Sequence, residues 1–380
     1  VRTLDNSLPD STVRLMVGGM EHNDWESYDV DSDLLVPADC WRVTLGLKDG
    51  NLPASVKEGT KVEIRVGDDP VMVSHIDDVD DSASKDGLRI GIGGRDGAAV
   101  LLDCSAPIFV AQMVSLEDII AKIVRPLGVA KIRIDADKTR LREKINVEPG
   151  DTAWEVLTNA AEANGLWPWF EPDGTLVVGG PDYMAPPVAT LIMRLNGVGN
   201  NVINLHRKKS IQGRFSEVTV LGQAHGTRLE QGKHAIKATQ KDTGVSWYRP
   251  KIVIDHESDS EAVAKDRARK ILSDSRLKGF TLNAEVKGHR INAPGEPAHG
   301  RLWTPGQRVR VISERHAIDD IFFLMGRKFT GGRQQDARTH LTLKEDRAWV
   351  LDAHPHKRKH RRKKDSAALQ IYDPSHGAPK

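Results

Sequence analysis

Cysteine is nearly absent from this sequence, with Cys40 and Cys104 alone among 380 residues. Two thiols cannot build a disulfide framework, so both read as small buried hydrophobes in a chain made in a reducing cytoplasm. A continuous apolar run of about 18 residues is missing too, which excludes a spanning helix. The opening residues 1–10 are polar and acidic and lack the basic start and apolar stretch of a secretory leader. Net charge is small, at +2, but unevenly placed: residues 357–364 carry seven Lys or Arg, and setting those aside leaves −5 for the rest. The body is therefore mildly acidic and the tail strongly basic. What is present is ordinary for a folded chain, 39% hydrophobic and 28% charged, which argues against wholesale disorder. The length fits two to four domains at roughly 100–200 residues each.

Alternating or apolar patterns place strands at 13–17, 41–47, 61–66, 71–76 and 88–92, with an acidic loop at 77–86. Short strands with turns between them predict a small antiparallel barrel or sandwich over residues 1–97. The texture changes at Gly93-Gly94-Arg95-Asp96-Gly97. Helices are expected at 98–104, after Ser115-Leu116-Glu117-Asp118, and after Pro149-Gly150-Asp151-Thr152. A strand at 131–134 and a hairpin at 167–178 complete an α/β module over 98–182. Residues 179–187 read as a linker. Strands resume at 202–205 and 215–221, and the polar stretch 223–244 reads as a long mobile loop.

A strand at 251–254 follows Trp247-Tyr248-Arg249-Pro250. A charged helix over 259–278 opens on the capping box Ser258-Asp259-Ser260-Glu261 and is stopped by a left-handed Gly279. Strands at 280–286, 306–311, 321–325 and 340–343 close a second β-barrel domain over 183–346. The remainder, 347–380, is expected to be a basic, disordered tail.

The two β sets echo one another. Gly306-Gln307-Arg308-Val309-Arg310-Val311 repeats the pattern of Gly59-Thr60-Lys61-Val62-Glu63-Ile64, a glycine turn launching a strand with one apolar and one charged face. Each set opens with an alternating strand (13–17 against 217–221) and has a central one (41–47 against 280–286). The expected fold is thus mainly β with an α+β insert, two similar small antiparallel β-barrels in one chain. A closed trimer would present six such units in a ring, able to meet six-fold and three-fold partners on opposite faces.

Chemistry is poorly served. Asp29, Asp31 and Asp33 start like a calcium loop, but Leu34 stands where glycine is needed and Cys40 where a bidentate glutamate should be. His256-Glu257 begins like a zinc helix, yet Ser260 replaces the second histidine. Gly91, Gly93, Gly94 and Gly97 miss the dinucleotide spacing and read as a strand-to-helix turn. No serine sits in a nucleophile elbow. No enzyme, metal site or cofactor is expected. Trp247, Tyr248 and Trp303 are either interface anchors or barrel core. Arg249 flanks the first pair, and Lys265 and Arg269 belong to a basic helix surface, either solvated or docking an acidic partner. The basic tail, with His354, His356 and His360, is read as solvated, with nucleic-acid contact as the secondary reading.

Two resemblances follow from these residues. Residues 147–165, with Pro149-Gly150-Asp151-Thr152 before Trp154 and Leu157, resemble half of a LysM peptidoglycan-binding module, which gives the alternative of a wall-binding tail module anchoring a lytic complex. More broadly, Gly94-Arg95-Asp96 with Leu102-Asp103-Cys104, residues 213–222, Tyr248-Arg249-Pro250 with 252–254, the helix around 264–269, Leu302-Trp303 with Pro305, and residues 341–350 occur in a telling order. The whole, from about 13 to 350, resembles the baseplate hub proteins of contractile-tailed phages, the Mu-like P protein family, whose fold is shared with type VI secretion spike N-terminal domains. That resemblance implies a homotrimeric structural hub, assembled in the host cytoplasm into the virion. It would join the six-fold tail tube protein to the three-fold central spike protein, alongside other baseplate proteins. DNA could pass through its ring, and no membrane insertion is implied.

Overall fold

The computed structural model describes residues 8–47, 55–85, 87–108, 110–136, 142–147, 149–162, 165–224, 233–255, 261–349 and 369–370. The first β unit runs through β1 (Val13–Val17), β2 (Met20–His22), β3 (Ser27–Asp33), β4 (Cys40–Leu47), β5 (Lys61–Val66), β6 (Asp69–Ser84) and β7 (Gly87–Asp96). The α/β module follows: α1 (Ala98–Asp103), β8 (Val110–Val114), α2 (Leu116–Val124), β9 (Ile132–Ile134), β10 (Arg142–Asn146), α3 (Ala153–Glu162), β11 (Trp167–Phe170) and β12 (Leu176–Gly179). Then come β13 (Ala189–Met193) and β14 (Asn204–Lys209), and a smaller unit of β15 (Glu217–Ala224), β16 (Lys233–Lys241), β17 (Pro250–Ile254) and α4 (Glu261–Gly279). The second β unit closes with β18 (Phe280–Lys287), β19 (Arg308–Ser313), β20 (Ile318–Gly332) and β21 (Gln335–Glu345). A two-residue β22 (Leu369–Gln370) lies against β9.

The two β units are not separate sheets. β3 pairs antiparallel with β20, fusing both into one 13-stranded sheet whose core holds Val30, Trp41 and Ile64 of the first with Leu282, Phe329 and Leu341 of the second. Alternation makes this possible: along β18, Phe280, Leu282, Ala284 and Val286 are buried, while Asn283 and Lys287 face solvent.

The internal echo is real, but its alignment differs from the sequence expectation. The first unit has the order β3-β4-β7-β6-β5-β1 and the second the order β14-β18-β21-β20-β19-β13. Strand for strand the order is the same. The counterpart of β1 is therefore β13, not the 217–221 segment. That segment lies in β15, in a three-stranded sheet backed by α4 with its own core of Val218, Val220, Ala264 and Ala268. One difference remains: β1 joins β5 antiparallel, whereas β13 joins β19 parallel.

Other expectations need correcting. Within the acidic 77–86 stretch, residues 77–84 are not a loop but the far half of β6, paired with β7 as far as Ser84 and Gly87. Four aspartates suit such a ribbon because its far half is solvated on both faces. In the 223–244 stretch, residues 233–241 form β16, recruited by β15 and α4 despite a polar composition. The polar stretch before Ala38 contains β3, which alternates Tyr28 and Val30 with three aspartates on the opposite face. Gly91, Gly93 and Gly94 sit inside β7 rather than in a turn. A Cβ at Gly94 would stand 2.0 Å from the His75 carbonyl oxygen, so glycine permits close backbone approach there. Gly279 is not left-handed; α4 runs straight into β18, and a Cβ there would strike Arg214. Neither cysteine is buried: Cys40 is exposed and Cys104 half-exposed. Residues 256–260, with the capping box and the His256-Glu257 pair, and the basic 357–364 tract lie outside the described residues.

The α/β module packs Leu101, Ile120, Leu157 and Val178 into a core of its own. Ser115 caps α2 by accepting from the Asp118 N–H at 3.1 Å. Thr152 and Glu155 form a reciprocal capping box on α3, at 3.2 and 3.0 Å. The module is tied to both β units through Trp167, whose Nε1 donates to the Leu34 carbonyl at 2.6 Å and whose ring packs against the cluster of Phe323, Met325 and Trp349. Lys270 of α4 reaches Glu162 of α3 at 3.0 Å.

Candidate assembly surface

The feature that organises the molecule is the joint between its two β units. On its core side, Phe329 of β20 is fully buried beside Val30 of β3. His289, also fully buried, lies tilted against Phe329 with ring centroids 4.5 Å apart and is hydrogen-bonded through Nε2 to Tyr28 Oη at 2.8 Å. Burial holds His289 down to about 3 and pushes the Tyr28 phenol up to about 12, so both are neutral at physiological pH. Beside them Arg290, 3% exposed, donates to the carbonyls of Asp10, Val66 and Gly300 and pairs with Asp69 at 2.5 Å. One guanidinium thereby ties the second unit's loop to the lead into β1 and the β5–β6 turn. A buried arginine is tolerated because its donors are answered.

The other face of the joint is polar. Lys328 Nζ lies 3.1 Å from Asp29, Arg338 lies 2.7 Å from Glu285, and Arg42 stands 3.7 Å from both Asp78 and Asp80. These side chains, with His206, Asn283 and His340, share the face that the core does not use. A depression of about 440 Å³ lies there, lined by Asp31, Asp33, Cys40, His206, Lys328 and His340. This placement explains the aspartates at 29, 31 and 33: alternation sets them in a row on one strand face, where a calcium loop would wrap them around an ion.

Between the joint and the α/β module lies a buried polar cluster that sequence reasoning missed. Asp39 Oδ1 accepts from the Asp33 N–H at 3.0 Å, and Asp96 Oδ1 accepts from the Ala98 N–H at 2.9 Å. Burial pushes Asp39 up to about 6 and holds Asp96 well above the ordinary carboxylate range, with the Asp39 charge adding to the effect. Arg327 lies over the Phe329 ring at 4.0 Å and donates to the Val30 carbonyl at 3.2 Å, and burial lowers it to about 10. A cavity of about 430 Å³ adjoins the cluster, lined by Asp39, Asp96, Trp154, Phe170, Arg327 and Trp349. The cluster fixes the turn after β3 against β7 and β20. Such long-range convergence leaves no spacing signature in the chain.

The predicted surface residues divide. Trp247 and Tyr248 are 66% and 70% exposed at the entry to β17, and Arg249 packs over the Trp247 ring at 5.4 Å. Arg249 is held by the Ser216 hydroxyl and the Arg214 carbonyl, at 2.8 and 3.0 Å. Lys265 and Arg269 are exposed on α4, with Arg269 paired to Asp266 at 2.9 Å. Trp303 is 3% exposed and belongs to the main core. Ile252 and Ile254 of β17, 67% and 69% exposed, extend the apolar surface beyond Trp247 and Tyr248. The apolar run Ile252-Val253-Ile254 suggests a strand but does not say that this strand ends its sheet, as it does among the described residues.

Comparison with known proteins fits this architecture unit by unit. Residues 12–96 match the N-terminal domain of the family described as Mu phage baseplate assembly protein GpP-like, and residues 98–180 the second domain of baseplate hub protein gp44-like. Residues 214–272 match the third domain of tail protein NMB1110-like, and 274–348 a tail protein C-terminal domain. The crystal structure of the tail protein from Neisseria meningitidis MC58 is 39% identical, with a TM-score of 0.79 over 91% of this chain and 100% of that one. The chain belongs to the family of Mu-like phage baseplate hub proteins. Its role is structural, in a phage tail baseplate. Baseplate hub protein gp44 of Escherichia phage Mu is 27% identical over 322 residues, 81% of this chain and 80% of that protein. The 43 kDa tail protein of prophage MuSo2 from Shewanella oneidensis shares the fold, at 23% identity and a TM-score of 0.78 over 89% of this chain and 99% of that one. The 98–180 module thus matches a hub domain over its whole length, and the peptidoglycan-binding alternative is not favoured.

Proposed function

We propose that this protein is the homotrimeric hub of a contractile-tail baseplate, adapting a six-fold tail tube to a three-fold central spike. The observation that carries the reading is the duplication. Two units of one strand order in a chain give six alike units in a trimer, so one face can meet a six-fold partner while the chain count matches a three-fold one. The units then act as small barrel domains of a ring, divided as 1–97 and 183–346 around the 98–182 module. The polar face of the joint lines the ring's channel, through which genomic DNA passes. Trp247, Tyr248 and Arg249, with Lys265 and Arg269, form a docking surface for another baseplate protein. Assembly takes place in the host cytoplasm. The test is solution mass by light scattering, followed by negative-stain images of the peak. A particle of three chains with six lobes is expected. A monomer across the accessible concentration range, or another stoichiometry, overturns the trimeric ring.

A further inference from the structure

The joint inside the chain is a template for a joint between chains. Both units carry the same landmarks. Gly59 N–H donates to the Ile76 carbonyl and Gly306 N–H to the Leu324 carbonyl, each at 2.8 Å. Each of those strands then shifts register, between Ile76 and Asp78 and between Leu324 and Gly326. Asp78 therefore corresponds to Gly326, and Asp80 and Asp81 to Lys328 and Phe329. On the other edge, Trp41 pairs with Val30 and Gly94, while Leu282 pairs with Arg207 and Leu343. Arg207 therefore corresponds to Val30, and Lys208 to Asp31.

Within the chain, the far half of β20 is covered by β3, with Lys328 opposite Asp31 and Phe329 opposite Val30. The matching half of β6, from Asp78 to Ala83, pairs with β7 on one side and has no strand on the other among the described residues. The matching strand of β3 is β14, which ends the sheet order and pairs with β18 alone. Open edges of this length template pairing with another chain. Their charges are opposite: Asp78, Asp80 and Asp81 on β6 against Arg207, Lys208 and Lys209 on β14.

We propose that the far half of β6 in one protomer adds antiparallel to β14 of the next, in the register of the internal β20–β3 joint. That register sets Asp80 opposite Lys208 and Asp81 opposite Arg207. Opposed charges on facing strands are favourable, and like charges there are not. The inference rests on the trimeric ring and names the strand pair that closes it. It also gives a reason for the acidic ribbon. The internal joint is formed in every folded chain and can set an apolar pair, Phe329 and Val30, beside its charged pair, Lys328 and Asp31; the joint between chains stands in water before assembly and carries charge at both of the equivalent positions.

The experiment reverses and then swaps the charges, with solution mass as readout. Asp80→Lys with Asp81→Arg should weaken trimer formation about a hundred-fold or more, since like charges then face each other across the strands. Arg207→Asp with Lys208→Asp should do the same. All four changes together should restore the trimer. Independently, Asp80→Cys with Lys208→Cys in the background Cys40→Ser, Cys104→Ser should oxidise to a covalent trimer, because directly paired strand residues lie within disulfide reach. Asp80→Cys with Asn204→Cys, four residues out of register, should not. A wild-type trimer that survives both reversals, or cross-links only in the shifted pair, overturns this strand junction and leaves the trimeric hub standing. A wild-type protein that is never trimeric overturns both.

Discussion

In the first β unit the chain passes from β3 to β4 through residues 34–39; in the second, the same passage from β14 to β18 contains β15, β16, β17 and α4. The strand orders on either side are nonetheless the same. A sheet tolerates a large insertion between two adjacent strands provided that both insertion ends stay close, because pairing depends on the strands and not on the path between them. The inserted unit stabilises itself with a separate core and is locked at one corner by Asp242. That carboxylate, with a fully buried side chain, is gripped by Arg276 at 2.7 Å and Arg214 at 2.9 Å. The grip, Arg276 first, holds Asp242 well below the ordinary carboxylate range. The first unit has no such insertion to hold and instead ends in an acidic ribbon. What differs between the copies is confined to connections and edges.

The largest test of that contrast is at the equivalent positions Phe329 and Asp81. Phe329→Ala should destabilise the chain by about 3–5 kcal/mol, the usual loss for a buried aromatic, read as a lowered urea midpoint for global unfolding. Retention of the midpoint would mean that the two units do not unfold together. Next, Asp242→Ala should cost about 2–3 kcal/mol, since two guanidiniums lose their partner but are themselves part-exposed. The loss should appear as faster amide exchange in β15 and β16, with β4 and β7 unchanged.

A smaller effect separates the joint from the rest by pH. His289 is held at about 3 in the fold against 6.5 for a free histidine. Its contribution is therefore fully present above pH 6.5 and is lost as pH falls toward 3, with a slope approaching about 1.4 kcal/mol per pH unit. His289→Gln, which keeps a partner for Tyr28, should flatten that part of the stability profile in denaturant titrations at pH 6 and 5. Asp39, raised to about 6, acts oppositely: its contribution favours the fold most below its ordinary 3.8 and fades as pH rises through 6. Smallest of all, Asp81→Ala on the open edge should change the stability of the single chain by no more than about 0.5 kcal/mol. That value against the loss at Phe329 would measure how far the two equivalent positions have diverged.

Much of this was legible in the chain. The glycine turns before β5 and β19, the apolar helix faces of α2 and α3, and the Thr152 and Glu155 cap are local signals, written within a few residues of the structure they specify. The duplication was legible in the Gly59 and Gly306 segments, though its opening strand was misplaced: 217–221 alternates as cleanly as Ala189–Met193, and alternation does not say which sheet a strand joins. The acidic ribbon and β16 read as loops in the sequence because their residues are polar. Solvated ribbons and edge strands are held by pairing, and pairing partners are remote in sequence.

Composition and local pattern by themselves determined a mainly β chain with an α/β module and two related β units; the resemblance to baseplate hubs came separately, from the order of its motifs. Only the tertiary structure decided that the units share one sheet, that Trp303 is core while Trp247 is exposed, and that Arg290, Arg327 and His289 converge on the joint. The physical reason is range. Turns, caps and amphipathic faces arise from neighbours along the chain. Sheet order and buried charge clusters instead arise from residues far apart in the chain, as Arg327 is from Val30 at a separation of 297 positions, and they exist only once the chain has closed on itself.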